Sequence, residues 1–172
     1  MTAVEAGRLP AGFGAGRLTN RATAVGGADV RRVLQLVLAC AWLLDGILQY
    51  QRFMFTKGFG ATVLAPAAQG NPGWVADSVA WSAGLVAANP VWTNAAFATI
   101  QVLLGLGLAL RVTVKPALAA SIVWSALVWW FGEGLGGLLS GTASPLTGAP
   151  GAVLLYALLA ICLLYTSDAA DE

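Results

Sequence analysis

Five polar side chains stand out in this apolar sequence because their types and spacing could form one site. Asp45, Gln49 and Arg52 fall within about 60° of one another on a helix, near the end of the first long apolar run. Asn94 lies at the start of a second apolar run, and Glu133 follows the aromatic end of a third. Two carboxyls that lie close together tend to share a proton, which raises at least one pKa. The pattern therefore predicts a proton or cation site.

The elements that must position these residues are four apolar segments, at about 33–50, 92–110, 117–139 and 150–165. A helix that crosses a bilayer needs about 20 mostly apolar residues. The composition agrees with this, since 58% of the residues are hydrophobic and 10% are charged, whereas soluble domains carry about 25% charged residues. The sequence predicts an all-α, integral membrane four-helix bundle over residues 31–161.

The distribution of basic residues predicts the direction of each span. Seven of the nine lysines and arginines lie on one side if both termini share that side, and only Arg52 and Lys57 lie on the other. Because cytoplasmic loops carry the excess of basic residues, we expect a multi-pass protein of the bacterial inner membrane with both termini in the cytoplasm. In the outer loop, residues 51–91, the spacing of Trp74, Trp81 and Leu85 predicts a helix that lies in the membrane interface.

The depth of the two acids links them to one pocket. Asp45 lies twelve residues after Val33, and Glu133 lies sixteen after Ala117; at about 1.5 Å per residue, both fall in the outer half of the bilayer. Trp129 precedes Glu133 by one helical turn, and the glycines around Glu133 favour a loosened helix end. The predicted outward-facing pocket comprises Asp45, Gln49, Arg52, Asn94, Trp129 and Glu133.

Two other interpretations of these polar residues stay open. They could serve only as contacts between helices, with Arg52 as the counter-ion of Asp45, because buried charges in membranes usually find a partner. Alternatively, acids close to a helix end could simply reach the headgroups and water. Each interpretation uses the same residues.

Composition excludes several other kinds of site. The chain has no histidine and two cysteines, Cys40 and Cys162, which form no C-x-x-C motif. We therefore expect no haem, no metal and no disulfide scaffold, and no feature suggests nucleic-acid binding. Residues 1–30 read as a flexible basic tail. The terminal "CLLYTSDAADE", residues 162–172, resembles a translated sequencing-adapter tail, so we expect these residues to be non-native and assign them no functional role.

Three stretches resemble the DoxX-like group of small bacterial membrane proteins, in an actinobacterial branch: "RRVLQLVLACAWLLDGILQ", "FMFTKGFG" and "WWFGEGLGGLLSGTASPLTGAPGA". The resemblance covers residues 31–161. It implies an accessory subunit with quinone-linked or thiol redox chemistry, the lipid bilayer as its surroundings and another membrane subunit as its partner. This chain lacks the paired cysteines of the thiol-redox relatives, and the resemblance assigns no catalytic residue. A proton-coupled transporter of small solutes and a structural subunit are the alternatives.

Overall fold

The structure, a computed structural model, describes residues 15–141 and 143–168. Every regular element in these ranges is helical, which confirms the all-α prediction. The α-helices are α1 (Ala15–Leu48), α2 (Gly73–Ala88), α3 (Pro90–Ala109), α4 (Val114–Phe131) and α5 (Ala152–Asp168). Shorter elements are 3-10 helices at Arg52–Phe55, Ala65–Ala68, Gly134–Gly137 and Pro145–Thr147, and a π-helix at Phe59–Leu64.

The contacts divide the chain into two units, Met1–Val33 and Leu34–Glu172. The first unit contains the part of α1 that begins at Ala15, so residues 15–30 are helical where the sequence suggested an irregular tail. Alanine and arginine recur there and are good helix formers. Residues 1–14 of the expected tail lie outside the described residues, as do the last four residues of the chain.

Helix boundaries in the second unit agree with the predicted spans to within three residues, with one exception. Helix α4 ends at Phe131, whereas the sequence predicted a span that continued to residue 139. The cause is the glycine-rich stretch that follows, in which residues 134–137 all have φ between 55° and 71°. L-amino acids with a β-carbon rarely adopt this left-handed region. Leu135 adopts it because its buried side chain packs against Val75 and Val79 of α2.

One apolar core joins four of the helices. Its buried members come from α1 (Leu38, Ala39, Trp42), α3 (Leu104, Leu108), α4 (Ala117, Leu118) and α5 (Val153, Ala160, Leu163). Helices α1 and α3 approach closely, since a β-carbon on Gly105 would lie 2.6 Å from Cγ of Leu43 and 2.9 Å from the carbonyl oxygen of Ala39. Small residues permit this kind of approach between helices.

Helix α2 confirms the helix predicted from the spacing of Trp74, Trp81 and Leu85. These three side chains are exposed, while Val75 and Val79 are fully buried. The helix is attached to the end of α4 by two hydrogen bonds, because Trp130 donates to the Ser78 hydroxyl at 3.0 Å and the Ser82 hydroxyl donates to the carbonyl of Phe131 at 2.8 Å.

Among the described residues, two helices have the length and apolar composition of a membrane span. These are Pro90–Ala109 and Val114–Phe131, while the apolar part of α5, Ala152–Thr166, is shorter. Length and apolar composition alone support this assignment.

Candidate functional site

Asp45 and Glu133, the two acids of the predicted pocket, lie at the same end of the second unit. Asp45 is three residues before the end of α1, and Glu133 is two residues beyond the end of α4. Both side chains are half-buried, and they are close enough to interact electrostatically. The folded chain thus brings together the two carboxyls that the sequence pattern placed at similar depth.

The phenol of Tyr156 completes this group. Its hydroxyl donates a hydrogen bond to the carboxyl of Asp45, and it also lies near Glu133. Tyr156 belongs to the second turn of α5, so the three side chains connect α1, the end of α4 and α5. We call Asp45, Glu133 and Tyr156 the carboxyl cluster.

Buried aromatic packing holds Tyr156 and α1 in place. The rings of Trp42 and Tyr156 meet edge to face, with centroids 5.1 Å apart and planes at 73°. Trp42 is fully buried, and its indole N–H donates a 2.8 Å hydrogen bond to the Ser121 hydroxyl of α4. Since Trp42 precedes Asp45 by one helical turn, this packing also fixes the rotation of α1 that points Asp45 towards Tyr156.

Glu133 is positioned by the turn that follows α4. Trp129, one turn earlier, donates a 2.7 Å hydrogen bond to the carbonyl of Pro150, which ties the end of α4 to the start of α5. The Glu133 carboxyl lies against Gly151, where any β-carbon would collide with Oε2. This Oε2 atom is buried and has no hydrogen-bond partner among the described residues.

The buried position of the Glu133 carboxyl raises its pKa. Burial, with a smaller contribution from the nearby charge of Asp45, raises the pKa of Glu133 from its ordinary 4.5 to about 7. Burial has this effect because the ionised form loses hydration that the protein does not replace. Glu133 can therefore bind or release a proton close to neutral pH.

The other predicted pocket residues do not join the cluster. Asn94 is fully buried on α3, and its amide donates a 2.8 Å hydrogen bond to the carbonyl of Gln49, so these two residues connect α1 and α3. Arg52 is exposed and forms no ion pair with Asp45 in the part of the chain that the structure describes. Arg52 is therefore not the counter-ion of Asp45 that the sequence suggested. That suggestion assumed one continuous helix from Asp45 to Arg52, whereas α1 ends at Leu48 and a 3-10 helix begins at Arg52.

A second feature is a cavity of about 320 Å³ between α2, α3 and α4, which we call the lateral cavity. Its walls are mostly aromatic and aliphatic, and they include Trp81, Leu85, Phe97, Leu127 and Phe131. The polar residues that line it include Gln49, Ser82 and Gln101. None of the residues that line this cavity belongs to the carboxyl cluster.

Sequence reasoning missed Tyr156, Ser121 and the role of Trp42 in the cluster. A signal for Trp42 was present, because it lies three residues before Asp45 on the same helical face. Tyr156 is the first polar side chain in the apolar run of α5, and a buried tyrosine hydroxyl usually has a hydrogen-bond partner. Its partner depended on the packing of α5 against α1, which no spacing within α5 reveals.

The described part of the chain is all-helical, and two of its helices are long and apolar enough to cross a membrane. Its candidate site is the carboxyl cluster, which joins α1, the end of α4 and α5. No protein-family model, no curated protein and no solved structure matches the chain. Among the described residues, no three cysteine, aspartate or glutamate side chains group as metal ligands.

Proposed function

We propose that the chain is a multi-pass protein of the bacterial cell membrane in which α1, α3, α4 and α5 form a spanning four-helix bundle. The shared core supports this proposal, and so do the apolar side chains that these helices turn outward. Each helix exposes large hydrophobic residues away from the core, among them Leu44, Leu103, Val123 and Leu155, which are 56–61% exposed. Extensive exposed apolar surface of this kind suits contact with lipid.

The proposed topology places both termini in the cytoplasm and α2 at the outer interface, and paired cysteine variants test it. Gly73→Cys lies at the start of α2, where a side chain meets no neighbour, and Val112→Cys lies in the α3–α4 link, where Val112 is 94% exposed. In a background without Cys40 and Cys162, a membrane-impermeant maleimide added to intact cells should label only the Gly73→Cys variant. Labelling of the Val112→Cys variant in intact cells would reverse the topology.

The proposed activity is proton exchange at the carboxyl cluster, and the buried, unpartnered Oε2 of Glu133 beside Asp45 carries this proposal. A carboxyl with a pKa near the working pH can both donate and accept a proton, which is the property required of a general acid or base. Tyr156 keeps Asp45 hydrogen-bonded, so it fixes the position of the second acid.

We propose that this proton exchange serves redox chemistry, in an accessory subunit of the DoxX-like kind. Reduction of a lipid-soluble quinone takes up protons together with electrons, so a neutral-pH proton donor at the membrane is chemically suited to it. The alternative is a transporter that couples the same proton to a small solute. Both functions need the carboxyl cluster, and they differ in whether the proton crosses the membrane.

Infrared difference spectroscopy of the protein in nanodiscs tests the proton site directly, because it detects the carbonyl of a neutral carboxyl. The wild type should lose one such signal as the pH rises through about 7, and Glu133→Gln should lack that signal. Asp77→Asn, which alters an exposed acid of α2, is the matched control and should retain it. An unchanged spectrum in Glu133→Gln would refute the proton site.

Two further measurements separate redox association from transport. Addition of decylubiquinone, a short-chain quinone, should shift the Glu133 titration if a quinone ring binds beside the cluster. In proteoliposomes with an internal pH-sensitive dye, the isolated subunit should carry no proton flux. A flux that Glu133→Gln abolishes, with no effect of the quinone, would favour the transporter.

A further inference from the structure

The lateral cavity is a slot that follows the axes of α3 and α4. On α3 it is lined by Phe97 and Gln101, and on α4 by Trp124, Leu127, Val128 and Phe131. Residues three or four apart lie on the same face of a helix, so each helix contributes one lengthwise stripe to the wall. The stripe on α4 covers seven residues and ends at the last residue of that helix, which makes it about 10 Å long at about 1.5 Å per residue.

The walls of this slot are suited to hydrocarbon. Among the described residues that line it, none is charged. Phe97 and Trp124 meet edge to face with centroids 5.6 Å apart, and Trp81 meets Phe131 at 6.2 Å. The Ser82 hydroxyl already donates to the carbonyl of Phe131 at 2.8 Å. Water fits such walls poorly, because a buried water molecule needs several polar partners.

The size and the opening of the slot match one lipid chain. An apolar cavity of about 150 Å³ binds benzene, so about 320 Å³ holds a chain segment of about a dozen carbon atoms. The lining residues Trp81, Leu85 and Leu127 are 44–64% exposed, which leaves the slot open at the side. In the proposed topology this side faces the outer leaflet, whose hydrocarbon is about 15 Å deep.

Two basic residues lie close to the outer end of the slot. Gln49 lines the slot at the level of the start of α3, where Asn94 donates to its carbonyl, and Phe59 lines it from the following segment. Arg52 comes three residues after Gln49 and Lys57 two before Phe59, so their Cα atoms lie within about 12 Å and 8 Å of these lining residues. Both basic side chains are exposed, and neither forms an ion pair within the described part of the chain.

We propose that the lateral cavity is the binding site of one anionic phospholipid of the outer leaflet. One acyl chain fills the slot, and Arg52 and Lys57 bind the phosphate, since charge-assisted contacts of this kind are among the stronger polar interactions. The proposal rests on the membrane location proposed above. It does not depend on proton exchange at the carboxyl cluster, because the two sites share no residue.

Two photoactivatable lipids that differ only in the headgroup test this site. Phosphatidylglycerol and phosphatidylcholine, each with the same diazirine in one acyl chain, are added separately to the protein in nanodiscs, and mass spectrometry of peptides maps the label. Phosphatidylglycerol should label the stripes of α3 and α4 at least about fivefold more than phosphatidylcholine, because each basic residue at a membrane surface favours an anionic lipid by about that factor.

Filling the slot should abolish this labelling. Leu85→Trp fills it from α2 and Leu127→Trp from α4, so each variant checks the other, and melting temperatures confirm that both fold. The matched control is Leu103→Trp, at a position of α3 that is 61% exposed and outside the slot. Labelling of the stripes should persist in this control.

Removing the basic residues should separate the headgroup from the chain. The double variant Arg52→Gln with Lys57→Gln should lose the preference for phosphatidylglycerol while phosphatidylcholine still labels the same stripes. Arg111→Gln alters an exposed cation in the link between α3 and α4, at the opposite end of both helices, and should keep the preference.

Three results would overturn the lipid site alone: equal labelling of the stripes by the two lipids, label spread evenly over all lipid-facing residues, or unchanged labelling in both tryptophan variants of the slot. Failure of the folded wild-type chain to enter nanodiscs would instead refute the membrane location, and the lipid site with it.

Discussion

The indole N–H of Trp42 donates a hydrogen bond to the hydroxyl of Ser121, and both side chains are fully buried. This contact connects α1 to α4 one helical turn before Asp45. The same Trp42 ring packs against Tyr156, whose hydroxyl bonds to Asp45. A single aromatic residue therefore orients the helix that carries one acid of the cluster and the phenol that binds this acid.

Replacing Trp42 by phenylalanine should destabilise the protein by about 1–3 kcal/mol, because it removes the donor and leaves the Ser121 hydroxyl buried without its partner. Thermal or denaturant unfolding in detergent measures the loss. Ser121→Ala and the double variant complete a double-mutant cycle. If the two single effects simply add, the hydrogen bond contributes nothing to stability.

The stability of the wild type should depend on pH through Glu133. Its pKa is about 7 in the folded protein against an ordinary 4.5, so between these values the folded state binds more protons than the unfolded state. The free energy of unfolding should then fall as the pH rises from about 4.5 to about 7, and level off above that. Melting temperatures of wild type and Glu133→Gln across this range should diverge. Asp77→Asn should follow the wild type.

Asp45→Asn should lower the pKa of Glu133, because it removes a neighbouring negative charge while an asparagine oxygen can still accept the Tyr156 hydrogen bond. The carboxyl signal of Glu133 in infrared titration should then disappear at a lower pH than in the wild type. A midpoint that does not move would show that the charge of Asp45 does not reach Glu133 and that the two acids act separately.

Gly151→Ala should displace the Glu133 carboxyl, since the new β-carbon would occupy the position of Oε2. Backbone strain also follows, because Gly151 has a φ of 103°; such strain costs about 1–3 kcal/mol. Gly148→Ala is the matched control, with a φ of 85° and no atom within 4 Å of the new β-carbon. Only Gly151→Ala should shift the Glu133 titration. An equal shift in both variants would assign the effect to the loop backbone.

Gly105→Ala should destabilise the contact of α1 with α3, because its β-carbon would lie 2.6 Å from Cγ of Leu43. Overpacking of this kind costs about 1–3 kcal/mol. Gly84→Ala on α2 meets no atom within 4 Å, so it should stabilise the protein by about 0.5–1 kcal/mol through its helix propensity. Comparing the two melting temperatures separates helix propensity from packing, and a stable Gly105→Ala variant would contradict the close approach of α1 and α3.

Local features of the sequence were sufficient to predict most of the helices. Apolar runs and the spacing of Trp74, Trp81 and Leu85 predicted α2, the ends of α3 and the course of α5. The same features failed at residues 132–139, where the apolar run resumes after Glu133 although the helix has ended at Phe131. Left-handed backbone there depends on Leu135 packing against α2, a contact between segments distant in the sequence.

The sequence by itself determined that the chain is helical and which two acids lie near the ends of their helices, since propensity, periodicity and length act along one segment. Only the tertiary structure decided the partners: Tyr156 joins Asp45 and Glu133, Arg52 stays outside, and Gln49 and Asn94 pair elsewhere. The physical reason is that spacing fixes angles within one helix, whereas close packing around Gly105 and Trp42 fixes how each helix is rotated against its neighbours.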